Sequence, residues 1–161
     1  MELFLLRHGK AEAHGHPGGD GARALVGKGR DQARGAASFL KAAGRLPDIV
    51  LTSPVLRASQ TAEVFCESAG LDAPLWQPWL ACGMRPEEAA AELGGFREFT
   101  RVMIVGHEPD FSVLAGWLLD TRAGGVEIKK GSLACIRCTP PSRGGHLVFL
   151  APPAMIRGAA V

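Results

Sequence analysis

Near its start the chain carries an apolar run, Leu3-Phe4-Leu5-Leu6, that ends in Arg7-His8-Gly9. An arginine offers a planar fork of donors that matches phosphate and carboxylate oxygens. An imidazole offers a nitrogen that serves as nucleophile or acid/base group near neutral pH. A glycine lets the backbone turn and lets a ligand come close. Alone, the triplet reads equally well as a strand capped by two solvated polar residues. Two later places repeat the arrangement. Arg57 follows the run Asp48-Ile49-Val50-Leu51-Thr52-Ser53, and His107 with Glu108 follows Arg101-Val102-Met103-Ile104-Val105-Gly106. Two arginines and two histidines of this kind could hold a tetrahedral dianion while one neutral imidazole attacks its phosphorus.

The elements that would position them follow from pattern. Short apolar runs of this length read as buried strands. Pro54 and Pro109 suit the first position of a helix, with Ser53 as the N-cap before the first of them. Arg57 and His107 are then expected at strand-to-helix junctions, where free N–H groups and the helix dipole favour anions. In a parallel sheet the strand exits share one edge, which is where open α/β sheets bind ligands. The four side chains are therefore expected to converge.

The remaining chain alternates in the same way. A Gly- and His-rich loop runs from Gly9 to about Gly27. Helices are expected over Arg30–Ala43, Pro54–Ser68, Pro86–Leu93 and Pro109–Leu119, several ended by glycine. Leu71–Met84 reads as an irregular connection. Two more strands are expected at Gly131–Arg137 and His146–Leu150. The expected fold is α/β, a three-layer sandwich with a mostly parallel central sheet, one antiparallel edge and no cap domain, in a single domain spanning 1–161.

Composition narrows the function. The chain has 161 residues, 47% of them hydrophobic, and a net charge of +2. That suits a globular core and gives no global field for nucleic acid. The apolar start is too short to span a membrane and lacks the features of a signal peptide, so the cytoplasm is the expected location. Cys135 and Cys138 are expected on one strand, where residues three apart face opposite ways, and the four cysteines are expected to be buried free thiols rather than metal ligands. His14 and His16 fall in a Gly- and Pro-rich stretch expected to be a mobile loop. No Walker-type phosphate loop is present.

The motifs Arg7-His8-Gly9, then Ser53-Pro54 with Arg57-Ala58, Gln60, Thr61 and Ala62, then Val105-Gly106-His107-Glu108-Pro109 occur in an order that resembles the histidine phosphatase (phosphoglycerate mutase-like) superfamily. Gly29, Gln32 and Ala33 are similar to the family's first helix. The short length and the Gly-His-Glu-Pro ending most resemble the SixA-type phosphohistidine phosphatases. The resemblance runs from Leu3 to about Leu119.

That resemblance implies a phosphatase working without cofactor or metal. Arg7, Arg57 and a protonated His107 would bind the phosphate, and His8 would attack it to form a covalent phosphohistidine. Activity is then expected to fall in acid as His8 protonates and in alkali as His107 loses its proton. The proton donor is open: the glutamate of many relatives is missing from the region Gln77–Gly83, and Glu108 is either the acid or only the N-cap of its helix. The interval between the second and third strands is short, so the site is expected to be open. The expected partner is a phosphorylated protein, such as a histidine phosphotransfer component, or else a small phosphorylated metabolite. A catalytically silent phosphate-binding module is a third reading, and a mutase is disfavoured because it needs a covered site.

Overall fold

The computed structural model describes residues 1–122 and 124–158. Six strands form one sheet: β1 (Glu2–Arg7), β2 (Ile49–Thr52), β3 (Leu75–Trp76), β4 (Arg101–Gly106), β5 (Leu133–Arg137) and β6 (His146–Ala151), in the order β3-β2-β4-β1-β5-β6. The pairs β2–β3, β2–β4 and β1–β4 are parallel, and β5 runs antiparallel to both β1 and β6. The helices are α1 (Gly27–Ala42), α2 (Leu56–Ala69), α3 (Pro86–Gly94), α4 (Asp110–Leu118) and α5 (Pro153–Gly158). The α/β sandwich with one antiparallel edge is thus as the sequence pattern leads one to expect.

β1 is apolar along its length because both of its faces are covered. Alternate side chains enter different cores. Leu3 and Leu5 pack with Leu93 of α3 and with Phe111 and Leu114 of α4, while Phe4 and Leu6 pack with Leu40 of α1, Phe65 of α2 and Ile156 of α5. All four are fully buried. Truncating any one of them to alanine would cost about 2–5 kcal/mol.

Register brings the strand exits side by side. Arg7 lies opposite Gly106, and Thr52 lies opposite Val105. Beyond the strands the pairing continues for one step: the His8 amide donates to the Gly106 carbonyl (3.0 Å) and the Ser53 amide to the Val105 carbonyl (2.9 Å). His8, Ser53 and His107 therefore leave three neighbouring strands at one level.

Several boundaries differ from the sequence expectation. α2 starts at Leu56 with Val55 as its N-cap residue, and α4 starts at Asp110 with Pro109 as its N-cap residue. Neither Pro54 nor Pro109 is the first helical residue, and neither Ser53 nor Glu108 is an N-cap. The Ser53 hydroxyl instead accepts the Val55 amide (3.2 Å), which bends the chain through Pro54 and Val55 before the helix begins. α1 begins three residues earlier than its apolar spacing indicates. β3 was not anticipated, being two exposed residues with no periodicity to read, and α5 was not anticipated either.

Candidate active site

Arg7, His8, Arg57, His107 and Glu108 all line one cleft of about 300 Å3, together with His14, Asp20, Arg23, Cys82 and Lys130. The rings of His8 and His107 are 5.3 Å apart, centroid to centroid, and tilted by 53°. The cleft sits at the carboxyl ends of β1, β2 and β4. No residue of α3, in the interval between β2 and β4, lines it.

His8 is 4% exposed, and Nδ1 lies 2.8 Å from the Gly9 carbonyl oxygen. A carbonyl only accepts, so Nδ1 carries the proton and Nε2 keeps its lone pair. The loop that holds the ring is itself pinned. The Gly9 amide donates to Thr61 Oγ1 (3.1 Å), and the Thr61 hydroxyl donates to the Arg57 carbonyl (2.7 Å). Gly9 also presses on Gly29: a Cβ there would lie 2.5 Å from the Gly29 carbonyl oxygen. A Cβ on Gly29 would in turn run into the Lys10 carbonyl oxygen, so each position has its own reason to be glycine. Gln32 Oε1 accepts the Lys10 amide and Gln60 Oε1 accepts the Leu25 amide, each at 2.8 Å, so both glutamines tie down the loop between β1 and α1.

Arg57 is the second residue of α2 and is almost wholly buried. Its Nε donates to His8 Nε2 (3.3 Å), its NH1 to the Asp20 carbonyl (3.0 Å), and its NH2 lies 3.1 Å from Asp20 Oδ2. Arg23, only 4% exposed, grips the other carboxylate oxygen of the same residue through Nε and NH2, both at 2.8 Å. An exposed carboxylate of the chain thus sits against two guanidinium groups that face the cleft. Partial desolvation beside them raises the Asp20 pKa, but Arg57 and Arg23 outweigh it and hold the carboxyl below its ordinary value. Arg7 spends NH1 on the Ile128 carbonyl (2.9 Å) and leaves Nε buried without a partner.

His107 is 2% exposed and meets Ser53 Oγ through Nε2 at 2.8 Å, while its Nδ1 is buried with no partner. Ser53 is therefore a positioning residue rather than a helix cap. Unpaired buried donors or acceptors such as Arg7 Nε and His107 Nδ1 cost about 1–3 kcal/mol each. An oxyanion in the cleft is the kind of ligand that relieves that cost.

Burial pushes the His8 imidazole down to about 3, reinforced by His107, Arg57 and Arg7 against the pull of the Gly9 carbonyl. Burial, then Arg57 and Arg7, push His107 down to about 4. Burial therefore favours the neutral form of both rings at neutral pH, so the third, imidazolium cation expected of His107 needs an anion to bring the proton in. A dianion would raise both values by direct attraction.

Glu108 lines the cleft beside His107, and its Oε1 accepts the Ser112 hydroxyl at 2.8 Å. Among the described residues no group of three His, Cys, Asp or Glu side chains is placed to hold a metal ion. Cys66, Cys135 and Cys138 are buried free thiols, but Cys82 is exposed and lines the cleft, against expectation. His14 pairs with Asp20 (3.4 Å) and His16 with Glu12 (3.6 Å), which ties the Gly- and Pro-rich stretch to the site. Sequence reading missed Asp20, Arg23 and the role of Ser53. The spacing Asp20-x-x-Arg23 was visible, but nothing in a glycine-rich loop says that it folds back over a strand exit.

Residues 3–79 match the family described as Histidine phosphatase superfamily (branch 1), a span that includes Arg7, His8 and Arg57. An uncharacterized protein of Picosynechococcus sp. is 31% identical over 147 residues, 85% of each chain. The structure of the protein histidine phosphatase SixA complexed with tungstate superposes with a TM-score of 0.85 at 25% identity, covering 96% of this chain and 98% of that one. The alpha-ribazole phosphatase of Shigella flexneri superposes with a TM-score of 0.75 at 19% identity, covering 95% and 97%. On its motifs, its sheet and the family match together, this chain belongs to the histidine phosphatase superfamily.

Proposed function

We propose that the chain is a phosphatase that carries phosphate covalently on Nε2 of His8, and that its substrate is phosphohistidine in a protein. The observation that carries the mechanism is the bond from His8 Nδ1–H to the Gly9 carbonyl. It fixes the tautomer, so that Nε2 faces the cleft with its lone pair free once Arg57 turns to the incoming anion. Arg7, Arg57 and His107 line the place where the equatorial oxygens would sit, and Arg57 and Arg7 are the cations that would stabilise them. The Nε2–phosphorus bond forms as the bond from phosphorus to the leaving group breaks. Water then attacks phosphorus, releasing phosphate and restoring His8. The scheme uses no metal ion.

Two observations support a protein substrate. The cleft lies open at the sheet edge, and SixA, which the chain resembles at 25% identity, is a protein histidine phosphatase. An imidazole also leaves more easily than an alkoxide and asks less of an acid, which suits a site whose carboxylates are committed: Asp20 to two arginines and Glu108 to Ser112. The second reading is a small phosphoester. The likeness to an alpha-ribazole phosphatase favours it, with Glu108 as the group that protonates the leaving oxygen.

A panel of phosphohistidine protein, sugar phosphates and nucleotide monophosphates decides between them. The expected result is a kcat/KM for the phosphoprotein at least tenfold above every ester. A higher value for an ester transfers the assignment to that ester. Tight binding of the phosphoprotein with no turnover of anything makes the chain a binding module.

A further inference from the structure

Beside the catalytic cleft lies a second, more open depression of about 630 Å3. Five cations line it, Arg7, Lys28, Lys129, Lys130 and Arg157, against a single carboxylate, Glu127. Arg7 and Lys130 line both hollows, so the two are continuous. Elsewhere on the surface most arginines have carboxylate partners: Arg34 with Asp31, Arg45, Arg101 and Arg137 with Glu2, Arg85 with Glu88, Arg143 with Asp120. Among the described residues none of the five cations of the depression forms an ion pair. A chain with a net charge of only +2 has concentrated unneutralised positive charge next to its phosphate site.

The shape says what kind of anion this suits. A shallow shelf leaves each lysine solvated and screened, so one small anion gains little from it. A surface with several carboxylates can engage all of the cations at once, which raises the rate of encounter and fixes orientation. The prolines Pro152 and Pro153 on one side give the shelf a stiff wall. The field of the site already reaches it: burial first, then Arg7, Arg23, Arg57 and Lys10, depress the Lys130 pKa.

We infer that this shelf is the docking surface for an acidic face of the phosphoprotein substrate, and that it steers the phosphorylated side chain into the adjoining cleft. The inference rests on the reading of the substrate as a protein. Its test uses Lys28 and Lys129, which take no part in the catalytic cleft. Both are exposed, and Lys28 sits in the first turn of α1, where a glutamate is well tolerated. The double variant Lys28→Glu/Lys129→Glu is compared with wild type on an acidic phosphohistidine protein and on p-nitrophenyl phosphate, across a salt series.

The expected result is a loss of about tenfold or more in kcat/KM for the phosphoprotein, a shallower salt dependence, and an unchanged rate on the small ester. Equal rates of variant and wild type on both substrates overturn the docking surface and leave the substrate reading intact. An equal fall on both substrates also overturns it, since the lysines then serve the phosphate site itself. If wild type turns over the small ester but not the phosphoprotein, the substrate reading fails, and the docking surface fails with it.

Discussion

Arg57 Nε points its hydrogen at Nε2 of His8 across 3.3 Å, so the guanidinium occupies the lone pair of the nitrogen proposed as nucleophile. The same guanidinium is tied to Asp20 through both of its terminal nitrogens. On the proposed mechanism a dianion entering the cleft would compete with Asp20 for Arg57 and, by drawing the guanidinium away, free Nε2, so that anion binding and activation of the nucleophile would be one event.

Replacing Asp20 with Asn removes the internal competitor while keeping its shape. Binding of sulfate, measured by competitive inhibition, is expected to tighten by about three- to tenfold, an ordinary size for one exposed or partly exposed charge contact. Weaker binding in the variant would mean that Asp20 positions Arg57 and Arg23 rather than opposing the anion.

The buried histidines predict a pH dependence of fixed sign. His8 and His107 have folded values of about 3 and about 4, below the ordinary histidine value near 6.5. Between those limits the unfolded chain binds protons that the folded chain does not. Stability therefore falls as pH drops below about 6.5, by up to about 1.4 kcal/mol per histidine for each pH unit. Sulfate, whose charge is constant there, raises both values and draws protons in. Its affinity is expected to rise as pH falls from 6.5 to 5, by up to about tenfold per unit for each proton taken up. Denaturant titrations with and without sulfate read both effects, and a flat response in each would contradict the burial of neutral rings.

Ser53→Ala removes the one hydrogen-bond partner of the His107 ring among the described residues and the acceptor of the Val55 amide. Losing a buried bond of this kind costs about 1–3 kcal/mol. We expect kcat to drop by about tenfold with little change in KM, and Ser53→Thr to restore most of it. A change in KM alone would assign Ser53 to substrate binding instead of ring orientation.

Much of this architecture was legible in the chain. β1, β2 and β4 announce themselves as apolar runs because strands covered on both faces need no polar alternation. His8 and His107 were readable because each closes such a run, and Arg57 because it opens the helix just after one. The parts that stayed hidden depend on long-range folding. Asp20 and Arg23 sit in a loop whose path is set by bonds from Gln60 to Leu25 and from Gln32 to Lys10, contacts that no local pattern encodes. Ser53 looked like a helix cap because a Ser-Pro pair before a helix usually is one. Here α2 starts two residues later and leaves the hydroxyl to His107. The burial that favours a neutral His107 was hidden for a related reason: charge neighbours are visible in a motif, but burial is not.

The central claim concerns one nitrogen, Nε2 of His8, and rapid quench during turnover of phosphohistidine protein or p-nitrophenyl phosphate tests it most directly. The account predicts an acid-labile, base-stable phosphoenzyme whose label maps to His8, and loss of both label and turnover in His8→Ala. A label on any other residue, or a His8→Ala variant that still releases phosphate at the normal rate, would contradict it.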